Sequence, residues 1–269
     1  MPRWFRTFLH LTPVVAGTSL ASVLGLLAVR ELITPQELAA SSDAVGNYMQ
    51  TVGGIYAVLL AFIVYVVWGQ FNDARTYVDR EATALVDLHR IASGLPTQTR
   101  LEIQRELRGY VDAVLTDEWR AMAKRDEATI ERIGERLEHV WVAIHSCEPC
   151  SDCQHTIYGE VLSRFNDLSD VRTSRLSSSR ARIPIAMKIL LYAGALIMIG
   201  SMYLLSFEKL WIHATVTAAL AGAVSHILFL IQDLDDSFAG DWQVSKEPFE
   251  RAKRAFLRDT HQIEASVAA

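Results

Sequence analysis

The sequence predicts an all-α membrane protein with four transmembrane helices and a helical cytoplasmic bundle, into which the second transmembrane helix extends. Three observations predict it. Four stretches, Leu11–Val29, Val52–Trp68, Ile185–Leu205 and Leu210–Ile231, are apolar over close to the ~20 residues that ~30 Å of hydrocarbon requires. Hydrophobic residues make up 51% of the 269-residue chain, more than a soluble globular protein carries. The charged stretches keep a helical apolar period, with no strand-like alternation and no internal repeat.

The first span follows a basic start, "MPRWFR", and its apolar run continues too far for a cleavable signal, so it is expected to remain as a membrane helix. The second is short, but Tyr48 and Met49 before it and Gln70 and Phe71 after it extend a helix into both interfaces. Trp4, Trp68 and Trp211 sit near span ends, where interfacial aromatics concentrate. Of the 26 Lys and Arg, 16 lie in residues 69–182 and seven in the terminal segments, whereas the two short loops hold only Arg30 and Lys209. The positive-inside rule then places both termini and residues 69–182 in the cytoplasm, at a bacterial inner (plasma) membrane. The expected division is 1–71 for the first two spans, 72–182 for the cytoplasmic helices with a Cys-rich loop at 145–155, 183–232 for the last two spans, and 233–269 for a C-terminal segment.

Beyond the second span, Val78, Ala82, Leu85, His89 and Ala92 repeat at helical spacing until Pro96 ends the helix. Thr99 and Glu102 form a capping-box pattern for the next helix, whose stripe is Leu107, Tyr110, Val111, Val114 and Met122. Asp126 is the N-cap of a third, with Ile130, Ile133, Leu137, Val140, Trp141 and Ile144. A fourth carries Tyr158, Leu162, Phe165 and Leu168 and leads through "SSSRARIP" into the third span.

The net charge of −5 excludes a nucleic-acid binder, which needs clustered excess Lys and Arg. No phosphate-binding glycine loop, nucleophile elbow or H-E-x-x-H pattern is present, so no enzyme is expected.

Within the second span, Gly53, Gly54, Ala57 and Ala61 make a small-residue edge that permits close helix approach. Ile55, Leu59, Phe62 and Val66 form another edge, which reads either as a packing surface or, around a symmetry axis, as an apolar constriction lining a pore. Asp233, Asp235 and Asp236 leave the fourth span together. They form a candidate cation-attracting cluster, and because acidic residues at a helix C-terminus oppose the macrodipole, Arg75 or Arg172 is expected to compensate them. His213 and His226 lie within the fourth span as candidates for a functional site or for hydrogen bonding across a helix interface, with Thr217 or Ser225 as partner. Lys188 is expected to snorkel, and Arg180 and Arg182 to meet headgroups.

"HSCEPCSDCQH" holds every cysteine: Cys147, Cys150 and Cys153, flanked by His145 and His155. Three readings stay open: a tetrahedral Zn site, a redox-active thiol set, or a plain connecting loop. Cytoplasmic placement argues against a structural disulfide.

Two stretches carry a family resemblance. "EATALVDLHRIASGLP", with Glu81, Ala82, Leu85, Leu88, Arg90, Leu95 and Pro96, and "LDDSFAGDWQVSKEPF", with Leu234, Asp235, Phe238, Gly240, Val244 and Phe249, resemble the signature blocks of the bestrophin-like domain family. That family is distantly similar to the bestrophins, homopentameric ion channels with four membrane helices per subunit, whose second helix lines the pore. "DLDDSFAGD" is similar to the acidic segment after the fourth helix where animal members bind calcium, which would place Ca at Asp235 and Asp236. Here Ser237 stands at the family's proline and Ala239 separates Phe238 from Gly240. The resemblance implies an oligomeric, pentameric ion channel in a lipid bilayer, and the acidic cluster points to cations. The alternative is a non-conducting membrane scaffold, or a metal or redox sensor using the Cys/His loop.

Overall fold

The computed structural model describes residues 3–148 and 152–268, with the side chains among them except those of residues 3–8, 35, 152–153 and 260–268. Every regular element in them is helical: α1 (Arg3–Leu32), α2 (Pro35–Ala39), α3 (Ser42–Ile91), α4 (Thr97–Ala113), a π-helical turn (Val114–Glu118), α5 (Trp119–Lys124), α6 (Glu127–His145), α7 (Asp152–Arg180), α8 (Ile185–Tyr203), α9 (Leu210–Leu234) and α10 (Glu247–Ala268). The four predicted spans fall in α1, α3, α8 and α9, each inside a helical stretch of membrane-crossing length and composition. The chain divides into two compact units. One comprises Met1–Gly69, Arg182–Asp235 and Gly240–Trp242, and the other Gln70–Ala181, Asp236–Ala239 and Gln243–Ala269.

In the apolar unit, small residues set how closely helices approach, as expected where lipid removes the hydrophobic drive between them. A Cβ on Gly222 of α9 would stand 3.0 Å from Ser19 Oγ on α1, and that hydroxyl donates to the Ala218 carbonyl at 3.1 Å. A Cβ on Gly194 of α8 would come within 2.5 Å of the Tyr56 ring on α3, and the Tyr56 hydroxyl donates to the Leu191 carbonyl at 3.0 Å. His213 of α9 is fully buried. Its Nε2 donates to the Met202 carbonyl on α8 at 2.8 Å, which leaves Nδ1 to accept from Arg30 Nη2 on α1 at 3.2 Å. Thus His213 bonds across helix interfaces, but with Met202 and Arg30 rather than with Thr217 or Ser225.

The charged unit has a core of its own, in which Val78, Leu85 and Leu88 of α3 join Ile103, Leu107 and Tyr110 of α4, Val140 and Ile144 of α6, Leu168 of α7, and Phe238, Phe249 and Phe256. Asp126 caps α6 as predicted, accepting from the Thr129 N–H at 3.2 Å. The capping box at Thr99 does not form. α4 begins at Thr97, directly after Pro96, which sits at the N-cap position without a side-chain cap, so Thr99 lies inside the first turn and is buried. At the other side of Pro96, Leu95 is extended (φ −84°, ψ 164°), the conformation a residue before proline favours. α3 accordingly runs on to Ile91 and closes with a 3₁₀ turn over Ala92–Gly94.

Candidate ion pathway

The second span presents two faces in α3. Tyr56, Leu60, Ile63 and Val67 form a buried ridge at i, i+4, i+7 and i+11 spacing. Ile55, Val58, Phe62 and Tyr65 are exposed in the single chain. Of the four residues predicted to line a pore, Ile55 and Phe62 are 68% and 54% exposed, while Leu59 and Val66 are half-buried beside them. At 100° per residue the four occupy an arc of only about 60°, to one side of the buried ridge. The small-residue edge is divided: Gly53 faces Met198, whose Cε would stand 3.2 Å from a Cβ there, whereas a Cβ on Gly54 would meet nothing within 4 Å.

The three aspartates after α9 each have a local anchor. Asp235 is buried, and its carboxylate accepts from the Ile183 N–H and from Lys188 Nζ, both at 2.6 Å. Its compensating cation is therefore Lys188, not Arg75 or Arg172, and Lys188 is drawn into an ion pair rather than snorkelling. Asp233 accepts from the N–H groups of Asp241 and Trp242 at 3.1 and 3.0 Å. That closure requires Gly240, which has φ +77° and whose Cβ would lie 2.2 Å from Asp233 Oδ1. Asp236 accepts from the Phe238 N–H at 3.2 Å, a side-chain turn of the kind Asp favours. Arg180, expected at headgroups, pairs with Glu127.

In the cysteine segment, Cys147 is a buried free thiol, His145 Nδ1 lies 3.1 Å from the Trp141 carbonyl, and His155 is exposed. Cys150 and the side chain of Cys153 lie outside the described residues. Among the described residues no three His, Cys, Asp or Glu side chains converge as metal ligands. His226 is exposed on α9.

Sequence reasoning missed the most enclosed polar group in the charged unit. Arg175 of α7 is fully buried, as are Glu81 of α3, Tyr110 of α4 and Glu118 of the π turn. Arg175 donates to Glu81 Oε2 at 2.6 Å and Oε1 at 3.1 Å, and to Glu118 Oε2 at 2.7 Å. Tyr110 donates to Glu81 Oε1 at 2.5 Å, and Arg172 donates to Glu118 Oε1 at 2.6 Å. Two carboxylates and two guanidiniums thus balance inside the core. Burial and the carboxylate neighbours both raise the Tyr110 hydroxyl well above its ordinary pKa, so it stays a donor. The available signal was positional: Glu81 interrupts the stripe of Val78, Ala82 and Leu85, and Arg172 and Arg175 continue the face of Phe165 and Leu168. A second buried group, His89, stacks on Phe256 at 4.3 Å and lies 3.5 Å from Asp259. Burial holds it down at about 4 against the opposing pull of Asp259.

Four membrane-length helices joined to a helical unit built around a buried ion network define an all-helical, multi-span membrane protein. The chain belongs to the bestrophin-like family: the model of the Bestrophin-like domain matches residues 16–249. A bacterial bestrophin homologue from Klebsiella pneumoniae carrying a point substitution superposes with a TM-score of 0.69 at 17% identity, over 91% of this chain and 98% of that one. The same homologue solved by zinc phasing gives 0.68 at 16% identity, over 91% and 97%. No curated protein matches by sequence. The fold class and family expected from the two signature blocks are both borne out.

Proposed function

We propose that the protein is an oligomeric ion channel of bestrophin-like architecture, a homopentamer by analogy, whose second membrane helix lines the pore in a bacterial inner membrane with both termini cytoplasmic. The observation that carries this reading is the division of α3 within its apolar part. One ridge is consumed by packing in its own chain, and the neighbouring arc of Ile55, Leu59, Phe62 and Val66 holds no charge and leaves Ile55 and Phe62 uncovered. Repeated around an axis, such an arc forms a constriction that gates by wetting. Cation preference is proposed from the acidic exit of α9. Lys188 offsets the charge of Asp235, so Asp233, held by backbone amides, is the residue on which that preference rests.

The test is a density map of the purified full-length oligomer together with planar-bilayer recordings. A closed ring with α3 on its axis and unitary currents supports the channel. A dimer without a central path, silent in bilayers, overturns it.

A further inference from the structure

The charged unit contains a groove between α3 and α7 whose lining is almost entirely oxygen. Gln70, Asp73 and Tyr77 line it from α3, and Thr173, Ser174, Ser177 and Ser178 from α7, around a volume of about 360 Å³. The α3 residues recur at i, i+3 and i+7, and the α7 residues at i and i+4, so each helix turns one oxygen-bearing face to the groove. Three of the hydroxyls have committed their protons elsewhere: Thr173 donates to the Ser169 carbonyl at 2.9 Å, Ser174 to Asp170 at 3.0 Å and Ser178 to Arg175 at 2.8 Å. A hydroxyl whose proton is spent still has lone pairs to offer. Back-bonding of one such hydroxyl is ordinary in helices. Here three of them flank an amide oxygen, Gln70 Oε1, that is buried with no donor reaching it, and Asp73 is the one charged residue in the lining.

A wall of acceptors with one negative charge selects its ligand by chemistry. It repels anions, and it has no donors to offer a phosphate or carboxylate. Calcium sites generally gather several carboxylates, whereas a single carboxylate among neutral oxygens matches one positive charge. We infer that this groove binds a monovalent alkali cation, Na⁺ or K⁺, held by Asp73 and the hydroxyl oxygens of α7 with much of its water shell retained. As a resting point for a conducted ion the site rests on the channel reading; as a binding site it stands apart from conduction.

The experiment uses the full-length protein in detergent and Na⁺ itself as the probe, read by ²³Na relaxation. Wild type is expected to broaden the Na⁺ signal, K⁺ to reverse the broadening, and Asp73→Asn to weaken binding roughly tenfold, the loss of one charge-assisted contact. The paired variant Ser174→Ala with Ser178→Ala, at half-buried positions that tolerate alanine in a helix, is expected to weaken it too, while Asp167→Asn on the same helix leaves it unchanged. Broadening equal to wild type in both groove variants overturns the site, as does displacement of Na⁺ by Ca²⁺ but not by K⁺. Bound Na⁺ that is sensitive to Asp73→Asn in a protein that carries no current keeps the site and removes the channel. Current without Asp73-sensitive binding does the reverse.

Discussion

Arg175 Nε meets Glu81 Oε2 at 2.6 Å with neither side chain reaching solvent, so α3 and α7 are joined inside the charged unit by a salt bridge that water does not screen. Removing one partner strands the other charge in the core. Arg175→Met or Glu81→Leu is expected to cost about 3–5 kcal/mol, and the charge-balanced pair of substitutions less than the sum. Thermal unfolding of the full chain in detergent checks this; additive losses would show that the two residues act independently.

Acid should loosen the same unit through His89. The apolar part of α3 ends near Trp68, and His89 lies roughly 30 Å further along the helix. Its folded pKa, about 4, is below the ordinary 6.5 because burial disfavours the imidazolium. A depressed pKa means the unfolded chain takes up the proton first. Stability is therefore full above about 6.5 and falls as the pH drops towards 4, by up to about 3 kcal/mol. His89→Phe, which keeps a ring against Phe256, is expected to flatten the unfolding midpoint across that window.

Phe62→Ala is expected to increase unitary conductance, because a smaller side chain on the uncovered arc of α3 widens and wets the constriction. Ile63→Ala, one residue along but on the packed ridge, should instead lower the thermal midpoint by about 2–5 kcal/mol with little change in conductance. Equal conductance changes at both positions would mean that the arc does not face the ion path.

Gly240→Ala should be more damaging than its size suggests. Gly240 holds φ +77°, and the added Cβ would fall on Asp233 Oδ1, so backbone strain and steric overlap act together. A loss of about 2 kcal/mol or more is expected. Asp233→Asn preserves an acceptor for the amides of Asp241 and Trp242 and should cost less. If the reversal potential in a salt gradient is the same in Asp233→Asn as in wild type, the carboxylate is only a turn-former and the cation preference loses its support.

The membrane-spanning helices were legible because lipid imposes a length and a composition that local sequence cannot disguise. The N-cap at Asp126 was legible for a similar reason, since one side chain does the work three residues ahead. Thr99 misled because the capping pattern competes with a stronger neighbour: Pro96 starts the helix two residues early. The partner of Asp235 was missed because Lys188, near the start of an apolar helix, is indistinguishable by composition from a residue reaching for headgroups. The Glu81–Arg175 bridge was missed because 94 residues separate its halves, and each half alone looks like a solvated charge on a helix surface. Glu81 was quoted as part of a family block, yet nothing in that block says what it touches.

The π turn at Val114–Glu118 makes chain length itself part of the charged unit's design. Deleting one residue there would let the helix relax to regular α geometry, but it would swing everything after it by about 100°. Glu118 would leave Arg172 and Arg175, and Trp119 would turn away from Phe238 and Phe249, with which it now makes edge contacts at 5.3 and 6.0 Å. Substitutions along this stretch change one contact at a time. A single-codon deletion shifts the phase of a whole helix, so the segment should tolerate changes of letter far better than changes of count.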